Sequence, residues 1–204
     1  MTATVIIPTT GAPELRGAIE SVLNQNYMTT CYVVVDGEKY RGQAKVILDE
    51  FAGNTRLKVS YLPINVGANG FYGHRIYAAF THLIDTEYVL YLDQDNWFEP
   101  NHVYSCVETM KQSKCDWTYS LRKIVNKEGQ FVCNDDCESL GKWKTYHGAN
   151  HIDTNCYCLK TGLAVNLASA WHGGWGQDRV FLATLSAHFK NFDCTGQYLS
   201  LIHI

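Results

Sequence analysis

The sequence predicts an α/β fold in which a mainly parallel sheet is covered by helices on both faces. Over the first hundred residues, short apolar segments alternate with segments whose apolar residues recur at helical spacing. Most of the short segments are nearly continuous in their apolar residues, which is typical of parallel strands buried on both faces. A length of 204 residues, with 46% hydrophobic and 18% charged residues, fits a single domain with a large core.

The first half of the chain contains four predicted strands, each followed by a predicted helix. The strands are expected over residues 3–7, 31–35, 57–62 and 88–92, and the helices over residues 13–23, 45–51, 71–83 and 100–111. Pro13 suits the first turn of the first helix. In the second and third helices, the residues expected to face the core include Val46, Tyr72 and Leu83.

The second half is predicted to form a smaller region of mixed strands and helices. Its strands are expected over residues 116–125, 130–133 and 155–159, and its helices over residues 161–170 and from about 177 onward. Residues 134–153 are polar and are expected to be irregular. The apolar residues 198–204 are expected to form a last strand, or to lead into downstream domains of a longer protein.

Charge and hydropathy argue against several classes of protein. Seventeen basic and twenty acidic residues give a net charge of −3, whereas proteins that bind nucleic acid usually carry a basic face. No apolar segment approaches the ~20 residues of a membrane-spanning helix. Met1 is followed directly by the first predicted strand, without a secretory signal pattern. The sequence therefore predicts a cytoplasmic protein that neither binds nucleic acid nor spans a membrane.

The eight cysteines are expected to be reduced thiols that fill the core. Two close pairs, Cys133 with Cys137 and Cys156 with Cys158, raise the alternative of a zinc site. The single-residue gap of the second pair fits poorly with tetrahedral zinc sites, whose paired cysteines are usually two to four residues apart.

Polar residues follow each of the four predicted parallel strands, where ligands of such sheets bind. They are Pro8, Thr9 and Thr10 after the first strand, Asp36 after the second, Asn65 and Gly67 after the third, and Asp93, Gln94 and Asp95 after the fourth. Asp93 and Asp95 are two residues apart, so on an extended chain they face the same side. A cation would relieve their repulsion, and oxygen ligands favour Mg²⁺ or Mn²⁺. The alternative is an ordinary polar turn.

A second group of candidate residues lies between 172 and 178. Glycines there allow a ligand to approach the backbone closely. Trp175 offers an apolar wall to a sugar ring, and Asp178 is a candidate general base. Alternatively, Asp178 only stabilises the first turn of a helix. His172 is a candidate metal ligand or substrate donor, or a packing residue, and Arg75 either reaches a diphosphate or only solvates an edge.

Together these motifs resemble the family 2 glycosyltransferases of the GT-A fold. The matching segments are 4–10, 18–25, 33–37, 65–67 with Arg75, the Asp-x-Asp motif in 91–96 and the late Gly-x-Glu-Asp segment at 174–178. The resemblance covers residues 3–110 well and 155–190 moderately. Gln177 departs from it by replacing the usual acidic residue. Within the family, the overall resemblance is to chlorella-virus glycosyltransferase domains, which implies the host cytoplasm as the location.

The resemblance implies a role for each candidate residue. Residues 1–110 would bind the donor, a nucleotide-diphosphate sugar, and residues 111–204 would supply the acceptor side and the base. Donor binding is implied for Pro8, Thr9, Thr10, Asp36, Asn65, Gly67, Arg75, Asp93, Gln94 and Asp95. Asp95, with Asp93, would hold Mn²⁺ or Mg²⁺. Asp178 would be the catalytic base, and acceptor binding is implied for His172, Trp175 and Gly176.

The implied reaction is metal-dependent and inverting. A hexose or deoxyhexose would move from a donor, most simply a UDP-sugar, to a hydroxyl of a saccharide or glycoprotein glycan. Two alternatives remain open. A sugar-nucleotide nucleotidyltransferase would need a basic, glycine-rich loop after the first strand, and residues 9–13 contain one glycine and no lysine. A non-catalytic module that binds nucleotide sugars or glycans would suit the aromatic-rich second half.

Overall fold

The computed structural model describes residues 2–135 and 151–203. Within these residues, nine strands form one sheet. The strands are β1 (Ala3–Thr9), β2 (Thr29–Val35), β3 (Leu57–Tyr61), β4 (Tyr88–Tyr91), β5 (Trp97–Phe98), β6 (Trp117–Val125), β7 (Phe131–Asp135), β8 (Tyr157–Lys160) and β9 (Phe192–His203). The helices are α1 (Leu15–Leu23), α2 (Arg41–Leu48), α3 (His74–Phe80), α4 (His102–Ser113), α5 (Thr161–Leu167) and α6 (Gln177–His188).

The sheet has a parallel half and a mixed half. Its strand order is β3-β2-β1-β4-β8-β6-β9-β5, with β7 paired to β6. The pairs among β3, β2, β1 and β4 are parallel, as the alternation of strands and helices predicts. Beyond β4, the strand β8 is antiparallel to its neighbours, whereas β6 and β9 run parallel. The carboxyl ends of β1, β2, β3 and β4 therefore meet at one edge.

Helices cover both faces of the parallel half, and every residue of β1 is buried. Val5 and Ile7 of β1 belong to one core cluster together with residues of α1, α2 and α4. Ile6, which faces the opposite side, belongs to a second cluster with residues of α3, α5 and α6. The alternation follows from the two-residue period of a strand, so the unbroken apolar character of β1 reflects burial on both faces.

The third helix is shorter than predicted at both ends. It begins at His74, and Tyr72 adopts a left-handed φ of 51° in the preceding loop with an exposed side chain. Leu83 lies in a 3₁₀ turn, Thr81–Leu83, and is also exposed. Val46 of α2 is exposed as well. The expectation that these three residues face the core is therefore wrong. Tyr72 and Leu83 lie outside the bounds of α3, and Val46 lies on the solvent-exposed side of α2.

Other boundaries move by a few residues. Helix α1 begins at Leu15, so Pro13 precedes its first turn, and α4 begins at His102. The last strand starts earlier than predicted, at Phe192, and β5 carries no strand pattern in the sequence. Of the segment predicted to be irregular, residues 136–150 lie outside the described residues, and β7 extends to Asp135.

Six of the seven described cysteines are buried, and Cys133 is exposed. Cys137, its partner in the alternative zinc pair, lies outside the described residues. Among residues 2–135 and 151–203, no helix is both long and apolar enough to cross a bilayer.

Candidate active site

A cavity of about 660 Å³ opens at the carboxyl edge of the parallel strands. It gathers residues that are far apart in the sequence, from the ends of β1, β2 and β4 and from the start of α6. The described residues that line it are Pro8, Thr9, Thr10, Asp36, Tyr40, Asn65, Gly67, Ala68, Tyr72, Gly73, His74, Asp93, Gln94, Asp95, Asp153, Thr154, Trp175, Gly176, Asp178 and Arg179. All the candidate residues of the sequence are among them except Arg75 and His172.

Asp36, at the end of β2, holds the loop that follows β3. Its two carboxylate oxygens accept hydrogen bonds from the backbone amides of Val66 at 2.7 Å and Gly67 at 2.9 Å. The side-chain amide of Asn65 donates to the same carboxylate at 3.1 Å. A Cβ on Gly67 would lie 2.6 Å from Asp36 Oδ2 and would overlap the carbonyl oxygen of Tyr72. Glycine is therefore required for this close approach of loop and carboxylate.

Gln94 fixes the loop after β1. Its Oε1 accepts hydrogen bonds from the hydroxyl of Thr9 at 2.7 Å and the amide of Thr10 at 3.1 Å. The hydroxyl of Thr9 in turn accepts from the amide of Gly11 at 2.8 Å. The middle residue of the Asp93-Gln94-Asp95 triplet therefore ties the first and fourth strand ends together, while it lines the cavity beside two carboxylates.

The carboxylate of Asp93 accepts hydrogen bonds from two side chains. The hydroxyl of Tyr77 donates to its Oδ1 at 2.8 Å, and the side-chain amide of Asn155 donates to Oδ2 at 3.1 Å. Burial, together with the neighbouring Asp153 and Asp95 carboxylates, raises the pKa of Asp93 to about 7, although the Tyr77 and Asn155 bonds act to lower it. The carboxyl groups of Asp93, Asp95 and Asp153, which form the acidic edge of the cavity, thus repel one another in a poorly solvated position.

The donor set at this edge consists of carboxylate oxygens, which suit a hard divalent cation. In the described part of the chain, no three His, Cys, Asp or Glu side chains are arranged as a closed metal cage. Mg²⁺ in phosphate-transfer sites is commonly held by one or two carboxylates, with the substrate's phosphates and water as the other ligands. The residues present therefore fit an ion that arrives with a phosphate-bearing ligand.

Asp178 lies in the first turn of α6 and lines the same cavity as the acidic edge. The helix is preceded by Gly176, whose φ of 81° favours glycine. One oxygen of Asp178, Oδ2, lies 3.2 Å from Nε2 of His151. The other oxygen, Oδ1, accepts a hydrogen bond from the backbone amide of Arg179 at 2.8 Å. The side chain of Asp178 retains a quarter of its exposure, so its carboxylate is accessible from the cavity.

The glycine-rich segment before α6 packs against the loop before α3. His74 contacts the carbonyl oxygen of Gly173 through Nδ1 at 3.2 Å, and burial lowers the pKa of His74. A Cβ on Gly173 would overlap Oε1 of Gln177, whose amide donates to the Ala170 carbonyl at 2.6 Å. That bond explains the amide at position 177, because an ionised glutamate has no proton to donate there.

Two candidate residues do not line the cavity. The guanidinium of Arg75 stacks on the ring of Phe71, with Cζ 3.2 Å from the ring centroid, and donates to the Val66 carbonyl at 3.3 Å. His172 is exposed and lies beside Phe71 at a ring separation of 6.1 Å. Arg75 therefore supports the loop after β3, and His172 packs on the same loop.

Several residues of the site carry no motif in the sequence. Two of them, His151 and Asn155, contact residues that line the cavity. The others line the cavity themselves: Tyr40, Tyr72, His74, Asp153, Thr154 and Arg179. Most of them lie in loops or short turns, where periodicity is uninformative. Arg179, next to Asp178, is the only Lys or Arg among the described lining residues.

Solved structures with the same fold include those of S. aureus TarS. TarS 1-349 in complex with UDP gives a TM-score of 0.76 at 15% identity, covering 100% of this chain and 61% of that one. TarS 1-349 in complex with UDP-GlcNAc gives 0.74 at 15% identity, with 100% and 59% covered. A longer TarS structure gives 0.74 at 16% identity, with 37% of its chain covered. This chain therefore spans less than two thirds of each of these proteins, and its fold is an α/β GT-A-like fold with a mixed, curled sheet.

A search of curated proteins finds no match. A family model, in contrast, matches more than half of the chain. It is described as Glycosyl transferase family 2 and matches residues 4–160, which include the four parallel strands, Asp36 and the Asp93-Gln94-Asp95 triplet. Asp178 and the glycine-rich segment lie beyond the match. The matched residues form all strands of the sheet except β9 and line most of the cavity described above, and the chain belongs to glycosyl transferase family 2.

Proposed function

We propose that this protein is a metal-dependent, inverting glycosyltransferase whose donor is a UDP-sugar. The observation that carries the proposal is the charge of the cavity. Five aspartates line it (Asp36, Asp93, Asp95, Asp153 and Asp178) against Arg179 as the one Lys or Arg of the described lining. A diphosphate would be repelled by such a cavity unless a divalent cation neutralised the acidic edge. The oxygen ligands of that edge suit Mn²⁺ or Mg²⁺.

The donor's nucleotide is proposed to lie at the ends of β1 and β2. Pro8, Thr9, Thr10 and Asp36 line that part of the cavity, and Asn65 and Gly67 border it. Two of the TarS structures are complexes, one with UDP and one with UDP-GlcNAc. Since the fold is shared, a uridine nucleotide is the first donor class to test, with residues 1–110 as the donor half and 111–204 as the acceptor half.

In the proposed reaction, a saccharide or glycan hydroxyl attacks the anomeric carbon from the face opposite the diphosphate. Asp178 accepts the proton of that hydroxyl, which is typically worth ~10²–10⁴ in rate for a general base. The exposed ring of Trp175 would support the acceptor sugar at the cavity mouth. A divalent ion held by Asp95 and Asp93 would act as a Lewis acid toward the charge that grows on the leaving diphosphate.

The proposal is tested by thermal unfolding with UDP, UDP-glucose, UDP-galactose and UDP-GlcNAc, each with and without Mn²⁺. A ligand at about 100 times its dissociation constant adds about 2.7 kcal/mol to the free energy of unfolding. For a chain of this length that raises the melting temperature by roughly 5–10 °C. We expect the rise with uridine nucleotides and Mn²⁺ together, and a much smaller rise with either one alone or with GDP-mannose.

Turnover is then measured as UDP release, in which water or an added saccharide is the acceptor. Stabilisation by a UDP-sugar without any UDP release, across a broad panel of acceptors, would instead support the non-catalytic binding module. Equal stabilisation with and without Mn²⁺ would contradict metal dependence. Retention of the anomeric configuration in the product, determined by proton NMR, would contradict inversion.

A further inference from the structure

We propose that His151 is a positioning residue that orients the carboxylate of Asp178 for proton transfer. The inference rests on the proposed function, because it takes Asp178 as the general base. His151 Nε2 lies 3.2 Å from Asp178 Oδ2. The side chain of His151 retains 6% of its exposure, against 25% for Asp178. His151 is not among the described residues that line the cavity, so it reaches the reacting atoms only through the carboxylate.

The segment that carries His151 is firmly anchored. Ile152 is buried, with 1% exposure, in the same core cluster as Phe181 of α6. Asp153 accepts hydrogen bonds from Arg122 at 2.6 Å and from the Asn155 side chain at 2.6 Å. These contacts hold the two residues that follow His151, and they keep its imidazole close to Asp178.

The two oxygens of Asp178 then have separate partners. Nε2 of His151 lies 3.2 Å from Oδ2, where the proposal places an N–H donor, and the amide of Arg179 donates to Oδ1 at 2.8 Å. Together the two donors fix the plane of the carboxylate, and each oxygen retains a lone pair. Without the imidazole, Asp178 would rotate about its side-chain torsions, and a misplacement of about 1 Å can cost ~10²-fold in rate.

His151 does not itself exchange a proton in this scheme. The O–H bond of the acceptor breaks and its proton forms a bond with a carboxylate oxygen of Asp178. The acceptor oxygen bonds to the anomeric carbon, and the bond from that carbon to the diphosphate breaks with its electron pair on the leaving UDP. The Nε2–H of His151 remains in place throughout and donates to the carboxylate before and after the transfer.

The test is a set of variants measured by UDP release from UDP-GlcNAc with Mn²⁺, and from UDP-glucose and UDP-galactose as further donors. We expect His151→Leu to lower kcat about 100-fold while the donor KM and the melting-temperature rise with UDP stay close to wild type. His151→Gln places an amide N–H near the position of Nε2 and should recover most of the rate. His151→Asn, whose amide is too short to reach Asp178, should not.

A double variant separates an indirect role from an independent one. If His151 acts through Asp178, His151→Leu combined with Asp178→Asn should be no slower than Asp178→Asn alone. A matched control is His102→Gln, because His102 is fully buried, contacts the Leu199 carbonyl at 3.1 Å and does not line the cavity. That variant should lose stability and keep its kcat.

The outcomes distinguish the two proposals. Normal kcat in folded His151→Leu, or a further loss of rate in the double variant, would overturn the positioning role while leaving the glycosyltransferase proposal intact. If His151→Leu does not fold, equal rates for the Gln and Asn variants would overturn it instead. Full activity of Asp178→Asn would remove the base and with it the role of His151. Absence of UDP release from any donor would refute the proposed function itself.

Discussion

Asn155 holds Asp93 at two points, although 62 positions separate them in the sequence. The amide nitrogen of Asp93 donates to Asn155 Oδ1 at 2.6 Å, and Asn155 Nδ2 donates back to Asp93 Oδ2 at 3.1 Å. Asn155 retains 1% of its exposure. The carboxylate of Asp93, in the first half of the chain, is therefore oriented by a residue of the second half.

Replacement of Asn155 by aspartate should destabilise the fold. The change keeps the shape but removes the amide donor, and it places a carboxylate at a buried position beside Asp93 and Asp153. An uncompensated buried charge costs on the order of 3–5 kcal/mol, so we expect a loss of about 3 kcal/mol in the free energy of unfolding. Urea unfolding at neutral pH measures it.

Asn54→Asp is the matched control for that prediction. Asn54 is exposed, and its Oδ1 accepts the amide of Arg56 at 3.0 Å, a contact that an aspartate also makes. Its free energy of unfolding should stay within about 0.5 kcal/mol of wild type. If Asn155→Asp and Asn54→Asp were equally stable, the two-point contact with Asp93 would contribute nothing to the free energy of unfolding.

Gly67→Ala should damage both the fold and donor binding. The added Cβ would lie 2.6 Å from Asp36 Oδ2 and would overlap the carbonyl of Tyr72, so the loop after β3 must shift. Over-packing of this kind costs about 1–3 kcal/mol. Gly42→Ala is the control, because a Cβ there meets nothing within 4 Å and the site is exposed in α2.

The two alanine variants should therefore change stability in opposite directions. Gly42→Ala should add about 0.5–1 kcal/mol, since alanine has the higher helix propensity. Denaturant unfolding and the melting-temperature rise with UDP and Mn²⁺ are the measurements. A Gly67→Ala protein with normal stability and a normal response to UDP would contradict the packing of Asp36 against this loop.

Asp95→Asn should abolish the effect of Mn²⁺ on UDP binding while it leaves the fold intact. Asp95 is half-buried, lines the cavity, and is a proposed ligand of the ion. The asparagine keeps the volume and one oxygen but loses the charge, and the charge provides most of the attraction for a divalent ion. Calorimetric titration of UDP with and without Mn²⁺ checks the expectation.

Asp49→Asn is the control for the loss of one carboxylate. Asp49 is exposed and paired with Lys45 at 2.6 Å, and it does not line the cavity. Its Mn²⁺ response should match that of the wild type. A wild-type response in Asp95→Asn would assign the ion to other residues of the acidic edge.

The sequence was sufficient to predict the parallel half of the sheet, because a strand that is buried on both faces has a nearly continuous run of apolar residues. Strands such as β1 and β4 have no polar residue between their ends except Thr4, and the polar residues that follow them converge by topology alone. That logic placed Asp36 beside Asp93 without any pairwise information. Both the residue pattern and the family resemblance predicted that the ligand-binding residues lie at this edge of the sheet.

The limits of the sequence lie where side chains bond to distant backbone. The loop before α3 shows helical spacing, yet Asn69 and Tyr72 have positive φ angles of 60° and 51°. Its shape depends on hydrogen bonds that the Asp36 carboxylate accepts from backbone amides of the loop, including that of Val66, which is 30 positions away in the sequence. His151 and Asn155 were missed for a similar reason, since a lone histidine or asparagine in a polar segment has no periodicity that reveals its partner.

Trp171 and Trp175 are four residues apart, but truncation should affect the stability of the fold strongly at the first position and little at the second. Trp171 has no exposed surface and stacks on Phe181 with ring centroids 3.9 Å apart and planes 15° apart. Trp175 is 87% exposed at the cavity mouth. Trp171→Ala should lower the free energy of unfolding by about 3–5 kcal/mol through the cavity it leaves. Trp175→Ala should change it by less than about 0.5 kcal/mol.

The functional consequences of these two substitutions should also differ. Trp175→Ala should leave UDP release to water unchanged, because the ring does not contact the acidic edge in the proposed scheme, and should weaken transfer to added saccharides by raising the acceptor KM. Trp175→Phe keeps an aromatic face and should recover part of that loss. Unaltered saccharide transfer in Trp175→Ala, measured beside UDP release to water in the same protein, would remove the ring from the acceptor side. The acceptor would then have to be held by the walls of the cavity, between Tyr72, His74 and Arg179.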